Sequence, residues 1–314
     1  MRNAPATPLA GALADGVVLL DGGLSNQLED QGNDLADELW SARLLAEDPA
    51  QIEAAHAAYV RAGARVLITS SYQASFEGFA RRGLGADDAR ELFRRSVRLA
   101  RSAGRAEARA EVRVAGAGPV WVAGSVGPYG AVLADGSEYR GRYGLSVREL
   151  TAFHRPRVEA LAEAEPDVLA LETVPDVAEA EALLGAVAGC GLPVWLSFTV
   201  AGGRTRAGQP LAEAFAVAAG NPQVLAVGVN CCAADEVGPA LETAARACPG
   251  TPLVAYPNSG EGWDARRAAW TGARTFAPSL AREWTARGAR LVGGCCRVGP
   301  GAIAALGETL GRAG

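Results

Sequence analysis

The chain has 314 residues, with 30 basic and 35 acidic side chains and a formal charge of −5. A composition 49% hydrophobic and 21% charged supports a large buried core and excludes a disordered chain, while the mild acidity argues against nucleic-acid binding, whose phosphate contacts need a basic face. Every basic residue is arginine and the only histidines are His56 and His154, which excludes P-loop lysines, pyridoxal Schiff bases, lysine aldolases and three-histidine zinc sites.

Short runs rich in Val, Leu and Ile recur along the chain at 17–20, 65–68, 120–123, 168–171, 194–198, 224–229, 253–256 and 290–292. Stretches with helical spacing follow them, at 49–62, 87–109, 146–163, 177–187, 210–219, 235–247, 276–286 and 300–310. Several open on a helix-start signal, among them Asp48-Pro49, Asp87, Ser146, Asp176, Asp235 and Pro300. Eight strand–helix units with wholly apolar strands predict an α/β fold, a (β/α)8 TIM barrel. No Pro-, Gly- or Ser-rich linker interrupts the alternation, so residues 1–314 are expected to form one barrel domain. No apolar run reaches the roughly 18 residues of a membrane span, and the start lacks the apolar core of a signal peptide. A cytoplasmic protein is expected. Six cysteines are too few for a disulfide scaffold in a chain this long.

In a barrel, chemistry sits at the C-terminal ends of the strands and in the loops that follow them. The expected strands end in Asp21-Gly22-Gly23, Thr69-Ser70-Ser71-Tyr72, Gly124-Ser125, Glu172-Thr173, Asn230-Cys231-Cys232, Tyr256-Pro257-Asn258 and Gly293-Gly294-Cys295-Cys296. Long connecting stretches are expected at 22–48, 71–86, 124–145 and 259–274. The sixth and eighth strands lie close around a barrel, so Cys231, Cys295 and Cys296 can converge. Three thiolates converging read as a zinc site with its fourth position open; the same residues also read as buried cysteines acting as small hydrophobes. Gly293 and Gly294 would let the backbone bend so that both following sulfurs face a metal. A three-thiolate zinc site suits a thiol substrate, because the metal ionises it without a protein base. Asp21 and Glu172 could hold an ammonium, and amides near Gly22-Gly23 a carboxylate; a turn aspartate and a barrel-mouth ion pair are the plainer readings of the two acids. Cys190, Cys248, His56 and His154 are read as packing or surface residues.

Taken together the motifs resemble the homocysteine S-methyltransferase family, most closely its bacterial S-methylmethionine:homocysteine branch. The resemblance runs from Asp21-Gly22-Gly23 to Gly293-Gly294-Cys295-Cys296-Arg297. Between them it takes in Ser71-Tyr72-Gln73-Ala74-Ser75, Gly124-Ser125-Val126-Gly127-Pro128-Tyr129-Gly130, Ala134-Asp135-Gly136-Ser137-Glu138-Tyr139-Arg140-Gly141, Phe153-His154-Arg155-Pro156-Arg157, Gly228-Val229-Asn230-Cys231 and Tyr256-Pro257-Asn258-Ser259-Gly260-Glu261. It implies one Zn2+ per chain on Cys231, Cys295 and Cys296, and homocysteine at Asp21, Gly22, Gly23, Thr69, Glu172 and Asn230. It implies methyl transfer to the homocysteine thiolate from S-methylmethionine or S-adenosylmethionine, giving methionine. Methylation of another thiol or a selenol such as selenocysteine, or a non-catalytic zinc-binding barrel, is the alternative. Cys232 departs from the family pattern, and strand alternation turns it away from its neighbour. A sulfonium is a cation without hydrogen-bond donors, so its site should offer carboxylates and aromatic faces. Tyr129, Tyr256, Glu261 and Trp263 are the candidates, with packing of the barrel mouth as the alternative role of the two tyrosines.

Overall fold

The computed structural model describes residues 7–35, 41–109, 118–264 and 269–311, with the backbone alone described at 262–264 and 269–270. Eight parallel strands form its centre: β1 Val18–Leu19, β2 Val66–Ile68, β3 Trp121–Val126, β4 Val168–Val174, β5 Val194–Phe198, β6 Val224–Asn230, β7 Leu253–Tyr256 and β8 Ala289–Val292. Each pairs with its sequence neighbours, β8 pairs back with β1, and a bridge between Leu20 and Val66 closes β1 onto β2. The expected barrel is present. The helices that follow the strands are α1 Pro49–Arg61, α2 Ala86–Arg109, α3 Val147–Ala162, α4 Val177–Val187, α5 Leu211–Ala216, α6 Ala234–Ala247, α7 Leu280–Ala286 and α8 Pro300–Gly311.

Alternation along the strands builds two cores, because successive side chains face opposite sides of a sheet. Val18, Leu20, Val66, Trp121, Ala123, Val168, Ala170, Trp195, Ala226, Val254, Tyr256 and Leu291 fill the barrel interior. Their neighbours Leu19, Leu67, Val122, Leu169, Leu196, Val227, Ala255 and Val292 pack outward against the helices. Strands buried on both faces carry no polar alternation, which is why they read as continuous apolar runs. The helix Leu9–Asp15 seals the N-terminal end of the barrel, with Leu9 and Leu13 joining the interior core. In α2 the buried residues Ala89, Leu92, Phe93, Ser96, Val97, Ala100 and Ala103 recur at helical spacing. Ser146 and Glu149 form a full capping box before α3, and Asp176 caps α4 through the Ala178 amide. Asp235 is not a cap; α6 starts one residue before it.

The structure departs from the sequence reading at the functional end. The connecting stretches contain the helices Leu24–Asp30, Ser41–Glu47, Phe76–Arg81 and Tyr129–Leu133, and a hairpin pairs 262–264 with 269–271. These helices have five to seven residues and the hairpin strands three, too short for a periodic signal. Strands β3, β4 and β6 also run further than their apolar runs, so Ser125, Glu172 and Asn230 are strand residues pointing inward. Among the described residues no helix is long and apolar enough to cross a membrane.

Candidate functional site

Cys231 directly follows β6, and Cys295 and Cys296 follow β8. Their three sulfur atoms lie within 4.8 Å of one another, with Cys231 Sγ and Cys296 Sγ at 3.6 Å. Backbone bonds fix this geometry. The Cys295 amide donates to Pro257 O at 2.8 Å, and Asn258 ties the two cysteine loops together. Its amide donates to Cys232 O at 2.9 Å, while its Oδ1 accepts from the Cys296 amide at 3.1 Å. Cys231 sits in the left-handed region at φ 49°, a conformation that costs energy for a residue with a Cβ and turns its sulfur toward the other two.

Gly293 and Gly294 serve close approach, not the bend expected of them. A Cβ on Gly293 would fall 2.6 Å from Leu20 Cβ, and one on Gly294 would fall 2.1 Å from Val298 Cγ1. Neither lies in the left-handed region. Gly22 is equally constrained, its Cβ falling 2.0 Å from Val298 O. The Gly23 amide donates to that same oxygen at 3.0 Å, so it is already committed and only the Gly22 amide could meet a substrate carboxylate. Tyr59 joins the two loops, its hydroxyl lying 3.0 Å from Gly23 O and 3.2 Å from Val298 O.

Bonds from the Cys295 and Cys296 thiols, aided by Tyr139 and Asn258 and opposed by burial, hold Cys231 well below the ordinary thiol range. The bonds they give to Cys231 push Cys295 and Cys296 up. The three thiols thus oppose one another's ionisation, and a bound cation would favour the thiolate at all three. The spacing suits zinc, since Zn–S bonds of about 2.3 Å in a tetrahedron place sulfurs about 3.8 Å apart. Cys232 faces the outer core, where burial pushes its thiol up, and it is outside the trio. Cys190 and Cys248 also lie apart from it.

A second, acidic pole lies deeper in the barrel. Glu172 is 5% exposed; its carboxylate accepts from Ser125 Oγ and, at 3.0 Å, from the Tyr256 hydroxyl. Burial pushes its pKa up to about 7, with the negative Cys231 adding to the shift. Asp21 Oδ2 accepts from the Ile68 amide at 2.8 Å, and Oδ1 is buried with no partner. Burial, with Glu172 as a further cause, raises Asp21 well above the carboxylate range. Neither acid is bonded to a basic side chain among the described residues, so the pair is suited to an incoming cation. The ion-pair reading of Glu172 does not describe what is seen.

Thr69 and Asn230 act within the wall. Thr69 Oγ1 lies 2.7 Å from Ser71 Oγ and accepts from the Ser125 amide at 2.9 Å. Asn230 Oδ1 accepts from the Thr173 amide at 2.7 Å and from Ser197 Oγ at 2.8 Å, and Nδ2 donates to Thr173 Oγ1 at 2.7 Å. That grip holds the β-branched Thr173 at φ 58°, and with it the neighbouring Glu172.

The residues expected to face a donor are placed differently. Tyr256 is 1% exposed inside the barrel, where its hydroxyl meets Trp195 Nε1, Ser197 Oγ and Glu172. The Tyr129 ring packs against Tyr143 and Phe153. Glu261 already accepts from Ser259 Oγ and Arg274 Nε at 3.0 Å and from Arg297 at 3.4 Å, bonds that outweigh burial and keep its pKa low. Tyr256 is thus buried and Glu261 ion-paired, while Tyr129 is half-buried against its ring neighbours. The Trp263 side chain lies outside the described residues.

The sequence reading missed Tyr139, whose hydroxyl is 3.1 Å from Cys231 Sγ, and Asn258, which aligns the cysteine loops. It also missed Ser125, the partner of Glu172. His154 is buried between Glu179 and Arg157, and Arg157 donates to the carbonyls of Tyr72, Ala74 and Gly127, pinning the loops after β2 and β3. His56 is buried without a ring partner.

The homocysteine S-methyltransferase family model matches residues 18–310. A homocysteine S-methyltransferase of Escherichia coli is 47% identical over 295 residues, covering 92% of this chain and 94% of that protein. Homocysteine S-methyltransferase 4 of Zea mays is 44% identical over 323 residues, covering 97% and 94%. The crystal structure of the Escherichia coli homocysteine methyltransferase MmuM in its metallated form matches with a TM-score of 0.84 at 46% identity, covering 95% of this chain and 98% of that one.

Proposed function

The chain belongs to the homocysteine S-methyltransferase family, and from that premise we propose that it transfers a methyl group from a sulfonium donor, S-methylmethionine, to the sulfur of L-homocysteine, forming methionine. The observation that carries this reading is the pairing of a three-thiol cluster with two buried carboxylates at the same end of the barrel. The first suits a metal and a substrate sulfur; the second suits an α-ammonium. Cys231, Cys295 and Cys296 would hold one Zn2+, which when bound supplies the positive charge that keeps a thiol ionised at neutral pH.

The chain's own residues bind and orient. Glu172 and the open oxygen of Asp21 take the homocysteine ammonium, while Ser125 and Tyr256 fix the Glu172 carboxylate and Asn230 holds the adjoining Thr173 backbone. The Gly22 amide takes the substrate carboxylate. Transfer forms a carbon–sulfur bond on homocysteine as the donor's sulfur–methyl bond breaks, its electron pair staying on the donor sulfur. A negative and a positive charge vanish together, so a dry site favours the step. S-methylmethionine would yield two molecules of methionine.

The test is a competition assay measuring kcat/KM for S-methylmethionine and S-adenosylmethionine at fixed homocysteine. Preference for S-methylmethionine is expected. A tenfold preference for S-adenosylmethionine overturns the donor, and no methionine from either overturns the reading as a whole, leaving a metal-binding barrel.

A further inference from the structure

One acidic side chain at this end of the barrel has no role in the reading above. Glu138 lies in the turn Ser137–Tyr139, directly before the tyrosine whose hydroxyl meets Cys231 Sγ. It is 9% exposed, and its Oε2 is buried with no hydrogen-bond partner. The charge it carries is felt at Tyr72 and Tyr143 and, in the other direction, Cys231 acts on it. Its position is built. A Cβ on Gly130 would fall 2.5 Å from the Glu138 amide nitrogen and 2.7 Å from the Tyr143 hydroxyl, so the helix Tyr129–Leu133 seats tightly on this turn. The Ser137 amide and hydroxyl both bond Asp135 Oδ1, bracing the turn from the other side.

A buried carboxylate oxygen without a partner is destabilising in itself, so packing does not account for it. Aromatic residues lie within its electrostatic reach, Tyr72 and Tyr143, and Tyr139, whose hydroxyl reaches the Cys231 thiol, is next along the chain. A sulfonium offers no hydrogen-bond donor and is recognised by negative charge and polarisable rings. Glu261, the acid that the sequence suggested for this task, is held by arginines.

We propose that Glu138 is the counter-charge for the methyl donor, its buried carboxylate selecting a donor that carries a positive charge on the reacting sulfur. This rests on the methyltransferase reading and adds a residue and a selection rule to it. The donor loses its charge during transfer, so the carboxylate stabilises the bound donor more than the transition state. Its removal therefore weakens donor binding without slowing the bound complex.

The experiment uses the zinc-loaded enzyme and Glu138→Gln, which keeps the shape and removes the charge. The KM for S-methylmethionine and the inhibition constant of 2-amino-5-methylhexanoate, in which a neutral CH replaces the sulfonium, are taken at fixed homocysteine, and the homocysteine KM is taken at saturating donor. The variant should raise the donor KM at least tenfold with kcat maintained, while the inhibition constant of the neutral analogue, the homocysteine KM and the zinc content stay unchanged. Glu138→Asp, which restores charge on a shorter stem, should recover part of the loss and guards against misfolding of the first variant. Equal weakening of donor and neutral analogue, or no weakening of either, overturns the assignment. Failure of the wild type to form methionine overturns the methyltransferase reading instead, and is scored before any variant.

Discussion

Replacing Glu172 by Gln should make the protein bind homocysteine less well and make it more stable. The carboxyl is buried and its pKa sits at about 7 instead of the ordinary 4.5. Keeping it ionised inside the metal-free protein therefore costs about 3 kcal/mol relative to the unfolded chain. Because the folded-state pKa is raised, this cost is absent below about pH 4.5, grows between there and pH 7, and is complete above pH 7. Gln fits the same volume, and the hydroxyls of Ser125 and Tyr256 can turn to accept from its amide. At pH 8 the metal-free variant should gain up to about 3 kcal/mol, a rise of several degrees in melting temperature, and the gain should fade by pH 4.5. Affinity for homocysteine should move the other way. Loss of a charge-assisted bond to an ammonium costs roughly 1.5–3 kcal/mol, about tenfold to a little over a hundredfold in KM. Thermal unfolding across pH 4.5–8 and homocysteine kinetics test both halves, and zinc content should not change. A stability difference independent of pH would refute the burial argument; unchanged homocysteine KM would refute the ammonium site.

Two further outcomes follow from the geometry. Cys295→Ser or Cys296→Ser should abolish zinc retention and activity, whereas Cys232→Ser should leave both largely intact, because Cys232 faces the outer core; metal analysis after dialysis decides, and full zinc in the Cys295 variant removes it from the ligand set. Gly22→Ala would drive a methyl to 2.0 Å from Val298 O in the loop that carries two of the thiols, so stability should fall by about 1–3 kcal/mol and zinc retention with it. Melting temperature and metal content within error of wild type would show that the loop gives way freely.

Why some of the site could be read from the sequence and some could not follows from chain distance. Cys231, Cys295, Cys296, Asp21 and Glu172 stand at the ends of apolar strands, where alternation and barrel topology already say which residues meet. Asn230 is an expected substrate contact by the family resemblance; in the structure its side-chain amide reaches past the intervening strand β5 to bond Thr173 on β4. Tyr139, Glu138 and Asn258 lie in connections without periodic pattern, and their neighbours come from other loops. No local signal could have placed them. Glu261 errs in the opposite sense: as a sequence it is a free loop acid, and only the fold brings Arg274 and Arg297 onto it.

The arrangement of charge explains why so many acidic groups can share one end of a barrel. The Asp21–Glu172 pair and Glu138 are buried carboxylates that carry less negative charge than they would in water, while in the thiol trio Cys231 is held low and its two partners high. Desolvation without a counter-charge is what pushes the three carboxylates toward their neutral forms. The proposed ternary complex brings three cationic centres: a metal at the thiols, an ammonium at Asp21 and Glu172, and a sulfonium at Glu138. Each would restore ionisation at one locus, and because Cys231 acts electrostatically on both Glu172 and Glu138, neutralising one locus eases ionisation at the others. Such coupling is reciprocal between ligands. In the proposed reaction the charges on the two sulfurs vanish while the α-ammonium persists, so a counter-charge at Glu138 would favour the sulfonium donor over its thioether product, whereas Asp21 and Glu172 would hold substrate and product amino groups alike.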